Sequence, residues 1–513
     1  MFKICFILTV VFIFTFSACS EKTVPDPQDA VVARVGEREI TVRDFKRNYE
    51  FGPPHLKKEP DRKRSYLDFM IKELVLAQQG YRLHLDESER VRKLEDELIE
   101  ELLIEALFDN EVKSKIRISD EEIHDAISKS KVQWKMRFWY EPDPEHARHV
   151  CQAMRREGYA QVVENILRSN PEIKLDPKYF ESKYMTWLEV EPVVLEAIKD
   201  LPIGEISDPV KINSGYYIFQ VVDIRRGALT DYEYQERAES FRQILFYRKL
   251  NQESVKYVSA MMTPKNVVTK GGAFKKLADA LQYWQKQEYK EDFPASVFAA
   301  GEKDGPLFKL KSNLQETLVT FADKQWTIRD YLDRFNAKNI KLKQEEGAVD
   351  IRPLLSDNIA VSVRNDYMIK EAKRKNLDKS PPVLYELQHW KDKWVYEETR
   401  HYYTKDLKID ENQARQYFEK NPDRFKIHWD DTPKFEDNIN LAKRLAYIEK
   451  ARNRLNEEVN QLTESEMPVF VNEALLDSIE TVDFKASRWA SLQVFKRSNN
   501  RIAYPVADPA WGF

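Results

Sequence analysis

The stretch Leu201 to Asp223, LPIGEISDPVKINSGYYIFQVVD, limits what this chain can fold into more than any other. A Pro-Ile-Gly turn leads into the extended run E-I-S-D-P-V-K, and Ser214-Gly215 then reverses the chain. The following YYIFQVVD alternates aromatic and β-branched residues as a half-buried strand requires. One short run thus predicts turn, strand, hairpin and strand.

The rest of the 513 residues exceeds what one core can organise, and the usual domain size suggests roughly three or four domains. Charged residues make up 33% and glycine holds only 13 positions, which favours long amphipathic helices over a β-sandwich or a glycine-rich nucleotide fold. Lys+Arg of 82 against Asp+Glu of 86 leaves a net charge of -4, so no basic field points to nucleic acid. No nucleotide motif and no C-x-x-C or H-E-x-x-H spacing is present, and the expectation is a protein without cofactor or metal.

The N-terminus supplies an address. Lys3 precedes the apolar run Ile4 to Phe16, which is too short for a membrane span and suits a signal peptide over residues 1–18. The ending Phe16-Ser17-Ala18-Cys19 resembles a lipoprotein processing box, which implies cleavage before Cys19 and lipidation of that residue. The alternative is an ordinary signal peptide in which Cys19 is incidental. Several acyl chains, at about 0.8 kcal/mol per buried CH₂, anchor stably where one does not. A linker, 19–30, follows, and Ser20 is compatible with sorting to an outer membrane, so the expected location is the bacterial envelope, facing the periplasm. Cys151 remains without a partner cysteine, and its neighbours Val150 and Met154 predict a buried structural thiol on a packed helix face.

In chain order, residues 31–36 predict a strand, and Ile40 to Phe45 a helix start with Thr41 as cap and Asp44 at the third position. Leu67, Met70, Leu74, Ala77 and Tyr81 form one helical stripe, a longer helix runs from about Glu87 to Lys113, and Ile118 to Ile123 is a capping box on Ser119 and Glu122. From Val132 to Asp223 the pattern is strand (134–140), helices (His146 to Gly158 and Tyr159 to Ser169), a short helix (Pro192 to Lys199), then the stretch described first. The spacing G-E-I-S-x-P-V followed by G-Y-x-I resembles the end of a parvulin-type peptidyl-prolyl isomerase domain, as carried by the SurA, PrsA and PpiC foldases. The strand and helices ahead of it resemble the N-terminal chaperone region of SurA and PrsA.

The second half repeats the first. Leu318 to Ala322 is again a strand, and Trp326-Thr327-Ile328-Arg329-Asp330-Tyr331 reproduces Ile40 to Phe45 position by position; Asp410 and Gln413 repeat Ser119 and Glu122. The expected architecture is mostly α with a small α+β domain: two SurA-N-like helical chaperone modules, the first with an inserted parvulin-like βα domain. Its parts are a module at 31–130, the degenerate parvulin-like domain at 131–226, and a return helix and strand at 227–300 that completes the first module by pairing 265–269 with 31–36. A second module at 315–425 has its own return helix and strand at 426–480, and a tail at 481–513 either packs on a module or is mobile.

Parvulins hold a twisted prolyl amide in an apolar cup beside a network of two histidines, a Cys or Asp, and hydroxyls; the barrier they lower is roughly 18–20 kcal/mol. The resemblance places Arg137 at the first histidine, from R-H-I-L on Met136 to Trp139, and Tyr217 at the second, from G-Y-H-I on Gly215 to Ile218. The G-G-D-L-G segment is missing, with Tyr184 to Trp187 near its place, and Val194 and Lys199 replace the two phenylalanines of the cup. The catalytic network is therefore expected to be lost, with His146 and His149 facing solvent. The candidates for holding clients are Trp139, Trp187, Val194, Tyr217 and Phe219. The expected function is an envelope lipoprotein chaperone that binds unfolded or partly folded exported proteins, with weak or absent isomerase activity. The alternatives are a working isomerase in which Tyr217 stands in for the network, and a structural subunit of an envelope complex.

Overall fold

Two short strand pairs in this chain each run into a helix through the same local device. The Thr41 hydroxyl accepts from the Asp44 amide at 3.2 Å while the Asp44 carboxylate accepts from the Thr41 amide at 2.9 Å, and Thr327 with Asp330 repeats the pair at 3.1 and 2.7 Å. Such reciprocal bonds satisfy donors that a helix start leaves unpaired, typically for about 1 kcal/mol. Ser119 with Glu122 and Asp410 with Gln413 close the same box.

The computed structural model describes residues 26–170, 177–228, 230–287, 292–335, 351–426, 432–482 and 504–512. In chain order the elements are β1 (Val31–Val35), β2 (Arg38–Thr41), α1 (Val42–Phe51), α2 (Arg62–Arg82), α3 (Glu89–Glu111), α4 (Asp120–Lys129), β3 (Val132–Glu141), α5 (Pro144–Glu157) and α6 (Tyr159–Ser169). Then come β4 (Met185–Thr186), α7 (Pro192–Ile198), β5 (Val210–Ile212), β6 (Gly215–Arg226), α8 (Asp231–Met262), β7 (Val268–Thr269), α9 (Gly271–Gln285), α10 (Phe293–Ala299) and α11 (Pro306–Lys311). The last are β8 (Thr317–Thr320), β9 (Gln325–Thr327), α12 (Ile328–Leu332), α13 (Ile351–Arg374), α14 (Pro381–Thr404), α15 (Glu411–Lys420), α16 (Phe435–Ser465), β10 (Val469–Val471) and α17 (Glu473–Ser478). The fold class is the expected one, mostly helical with small antiparallel sheets. No helix among the described residues is long and apolar enough to cross a membrane.

Contacts divide the chain into an N-terminal unit, 26–106 with 365–482 and 504–512, and an internal unit, 107–335 with 351–364. In the N-terminal unit β1 and β2 pack Val32, Val35 and Ile40 against α2, and Leu455 and Val459 of α16 close the core. The expected stripe on α2 is only part of what it buries: Tyr66, Ile71, Val75 and Gly80 are covered too, because α2 carries neighbours on several sides. Gly80 marks the tightest of these. A Cβ there would lie 2.2 Å from Thr399 Oγ1 and 2.5 Å from Val395 Cγ1 of α14. In the internal unit a four-stranded sheet, β4-β3-β6-β5, carries α5 and α6 on one face and α4, α7 and α8 on the other. A second sheet, β7-β8-β9, packs with α9 to α11, and Tyr331 of α12 donates its hydroxyl to Asn358 at 2.6 Å.

The closing strands are exchanged relative to the expectation. Residues 265–269 do not pair with 31–36: Val268 faces Thr320 and Thr269 faces Val319, so β7 completes the sheet of the second strand pair. Residues 467–472 instead close the first sheet, with Ala33 opposite Val471 and Val35 opposite Val469. Nor is 315–425 one body, since β8, β9 and α12 lie in the internal unit while α14 and α15 lie in the N-terminal one. β1 and β8 are equivalent first strands with equivalent edges. β7 is far nearer in sequence to β8, and shorter closures cost less entropy, which leaves the edge of β1 to β10. Of the tail, residues 504–512 pack on the N-terminal unit, where Trp511 is 3% exposed in the core. The expected signal peptide, Cys19 and most of the expected linker lie outside the described residues, as does 483–503.

Two measurements test this packing. Val35 and Val469 form a pair without mutual backbone bonds, because the bonds on either side run from Gly36 N to Pro468 O and from Asn472 N to Val32 O. The double variant Val35→Cys, Val469→Cys should therefore form an intramolecular disulfide on oxidation, seen as a mobility shift in non-reducing electrophoresis; a chain that stays reduced speaks for the original pairing. Gly80→Ala should lower stability by about 1–3 kcal/mol in urea unfolding through overpacking, although alanine is the better helix former by about 1 kcal/mol.

Candidate functional site

The four-stranded sheet is set by β3 and β6, which pair along their length with Phe138 opposite Phe219, Trp139 opposite Ile218 and Tyr140 opposite Tyr217. Side chains alternate faces along a strand. One face therefore carries Met136, Phe138, Tyr140, Tyr217, Phe219 and Val221, and the other carries Arg137, Trp139, Ile218 and Gln220. The motif residues of the stretch read first have local reasons. Gly204 sits at φ +91°, and its amide donates to Val221 O at 2.7 Å. Ser207, 2% exposed, accepts from the Phe219 amide at 2.9 Å. The hairpin turns on Asn213 and Ser214, with Ile212 opposite Gly215, one residue earlier than the sequence suggested. Gly215 is needed for another purpose: a Cβ there would meet the Tyr140 ring at 2.2 Å.

This register corrects the assignment of catalytic-equivalent positions. Arg137 pairs with Gln220 and Tyr217 with Tyr140, so Arg137 and Tyr217 point to opposite faces and cannot belong to one network. Arg137 instead binds Glu181 at 2.9 Å, beside Lys135 at 2.5 Å. The Lys135 ammonium and then the Arg137 guanidinium hold the Glu181 carboxyl below its ordinary range.

Four of the five client-binding candidates are core residues. Trp139 packs on the α5–α6 side, while Trp187, Val194 and Phe219 pack on the other, all at 9% exposure or less. Trp187 also donates its indole N–H to Ala126 O at 3.0 Å and lies under the Arg248 guanidinium. Large apolar side chains are the material from which two cores this small are filled, so none of the four lines a groove. Only Tyr217 reaches the surface in part. It lies 5.2 Å, ring to ring, from Tyr140, a 43% exposed residue outside the candidate positions. Strand alternation from Phe138 would have found it. His146 and His149 are exposed as expected; His146 Nδ1 makes a 2.8 Å bond to the buried Glu141, which also accepts from Trp139 Nε1 at 2.7 Å. Cys151 is the expected buried thiol, donating to Ser207 O at 3.3 Å. Burial pushes its pKa up.

A second cluster lies in the N-terminal unit, around a cavity of about 720 Å³ between α1, α2 and α14. Asp44, the third residue of the first cap, receives His389 Nε2 at 2.9 Å and the Tyr385 hydroxyl, while His389 Nδ1 donates to Tyr385 O at 2.8 Å. Burial alone would raise the Asp44 pKa, but His389, Tyr385 and the Thr41 amide outweigh it and hold it at about 2. Burial would lower His389, and the Asp44 carboxylate reverses that and raises it. Asp392 binds the Tyr81 hydroxyl at 2.8 Å and Arg38 at 3.3 Å on the same wall.

Residues 142–239 match the family described as PPIC-type PPIASE domain, from the end of β3 into α8. No curated protein matches the chain. Among solved structures the chain is similar to a SurA-like chaperone of Campylobacter jejuni, at 15% identity and a TM-score of 0.22, over 47% of this chain and 100% of that one. It is also similar to the foldase PrsA of Streptococcus pneumoniae, at 14% identity and a TM-score of 0.22, over 51% and 96%. For PrsA of Bacillus cereus the figures are 16%, 0.21, 44% and 88%.

The Asp44–His389 pair gives the N-terminal unit a pH dependence. The raised His389 contributes fully below its unfolded pKa of about 6.5, and that contribution is lost as pH rises through the folded value. The lowered Asp44 contributes above about 3.8 and loses its contribution as pH falls toward about 2. Thermal melting should thus decline from pH 6 to 9 more steeply in the wild type than in His389→Gln. Parallel profiles for the two proteins would remove His389 as the cause.

Proposed function

We propose that this chain, whose residues 142–239 form a PPIC-type PPIASE domain, is a chaperone of the bacterial envelope that holds extended segments of unfolded exported proteins and isomerises prolyl bonds weakly or not at all. The observation that carries the proposal is the composition of one sheet face: Phe138, Tyr140, Tyr217 and Phe219 stand there, without a histidine among the strand residues. Isomerisation needs polar groups placed to stabilise the less conjugated, twisted amide. Two tyrosine rings at the open end of that face retain apolar contact and lose the histidine network. Binding is then shared among weak sites linked on one chain, where linkage raises the effective concentration of each.

The address is part of the proposal. Cleavage before Cys19 and its lipidation anchor the protein, with the described units facing the periplasm and outer-membrane proteins among the clients. Release without nucleotide is passive.

Two assays on the soluble protein lacking residues 1–19 test this reading. Aggregation of an unfolded outer-membrane protein should be suppressed at near-stoichiometric ratios, while prolyl isomerisation of a model peptide stays near the uncatalysed rate. An accelerated rate that is lost on Tyr217→Phe would replace the holding reading with catalysis by the tyrosine hydroxyl, and failure to suppress aggregation would remove the chaperone.

A further inference from the structure

The segment Tyr504–Gly512, YPVADPAWG, crosses the N-terminal unit with no strand pairing and only a 3-10 turn at Pro509–Gly512. Its main chain is held by side chains of the surrounding helices. Asn48 on α1 accepts from the Ala507 amide at 2.9 Å and donates Nδ2 to Pro505 O at 3.2 Å, a two-point clamp on one short stretch of backbone. Glu73 on α2 accepts from the Asp508 amide at 2.5 Å and from the Trp511 indole N–H at 3.2 Å. His55 Nε2 donates to Pro509 O at 2.9 Å.

Side chains of the segment fill separate places. Trp511 stacks against Phe69 and Tyr396, with ring centroids at 6.2 and 6.4 Å and planes within 27° of parallel. Asp508 receives the Tyr396 hydroxyl at 3.0 Å and the Arg400 guanidinium. Tyr504 stacks on Phe51 at 5.5 Å under Arg47. Tyr504, Pro505 and Val506 also line the 720 Å³ cavity.

Strands and helices satisfy their backbone groups with one another, whereas a bound peptide has its main chain read by host side chains and its alternate residues seated in pockets. Tyr504–Gly512 is held in the second manner. We infer that this track is a peptide-recognition site, that the protein's own segment is its resident occupant, and that an extended segment of an unfolded polypeptide displaces it. The chemistry that the site selects is a proline-containing stretch with a carboxylate three residues ahead of a tryptophan, as in Asp508 and Trp511. The inference rests on the client-holding reading above and adds a site and a means of regulation: a client must compete with the resident segment.

The test uses the full chain and a fluorescent peptide of sequence YPVADPAWG. A chain loosened by Asp508→Ala and Trp511→Ala should bind it at least about tenfold more tightly than the wild type, a difference of about 1.4 kcal/mol. A peptide with the same two replacements should bind neither, and adding Asn48→Ala to the loosened chain should weaken binding again. Equal affinity for wild type and loosened chain, or equal binding of a scrambled peptide, overturns the inference. A second arm leaves the chain unaltered, so it does not depend on the variant folding: hydrogen exchange of the Ala507 and Asp508 amides in the wild type should accelerate with saturating peptide, and unchanged exchange counts against displacement. A chain that suppresses aggregation yet binds no peptide loses this inference and keeps the proposed function; one that binds peptide without suppressing aggregation does the reverse.

Discussion

A carboxylate removed from water must find its counter-charge inside the fold, and in the N-terminal unit Glu73 draws on two distant parts of the chain. It sits on α2, its partner Lys393 reaches it from α14 at 2.7 Å, and the amide of Asp508 and the indole of Trp511 complete its shell. Burial pushes the Glu73 pKa up and the Lys393 ammonium pulls it back. An ion pair of this kind adds little over an apolar pair of the same shape, but breaking it by removing one partner costs about 3–5 kcal/mol. Its effect is therefore one of specification: α14 cannot leave α2 without stranding a charge, and residues 508–511 supply hydrogen-bond donors that any segment taking their place must replace. Gly80, two turns further along α2, works in the same direction through shape, since only a missing side chain lets Thr399 and Val395 come as close as they do.

Seen from this interaction, the helices of the second half belong with the strands of the first. β1 and β2 are covered by α2 and closed by β10, whereas β8 and β9 are closed by β7 in the internal unit. The residues that match the PPIC-type family, 142–239, lie within that internal unit. Its four-stranded sheet supports two cores, and the same alternation that fills both leaves Tyr140 and Tyr217 together at an open end.

Much of this was legible in the residues, and the limits have physical causes. Helix starts were readable because a capping box is a contract between neighbours: Thr41 and Asp44, Thr327 and Asp330, Ser119 and Glu122 need nothing from elsewhere. The β6 strand was readable from its alternation for the same reason. Strand partners are harder to read, because β1 and β8 offer nearly the same edge and only the shorter closure from β7 to β8 separates the two pairings. The face of the parvulin-like sheet turned on a one-residue register, and an error of one residue reverses every side chain; Arg137 was placed with Tyr217 on that account. Trp139, Trp187, Val194 and Phe219 read as client-holding candidates because the composition of a strand, a turn or a short helix does not say which of its sides is covered. Asp44 was read as a cap, but its second role with His389 and Tyr385 needed a helix more than 300 residues away to be brought alongside.

The exchange of closing strands also sets an order of events during synthesis. β1 and β2 are made early, yet their third strand, the buried partner of Glu73 and the tryptophan that stacks on Phe69 all come from residues beyond 390. The internal unit has its strands, β3 to β9, by residue 327. A chain emerging from its N-terminus can thus complete the sheets of the internal unit while that of the N-terminal unit still waits with an open edge and an unpaired carboxylate. Until residues near 511 arrive, the part of the protein made first is the part that remains unfinished.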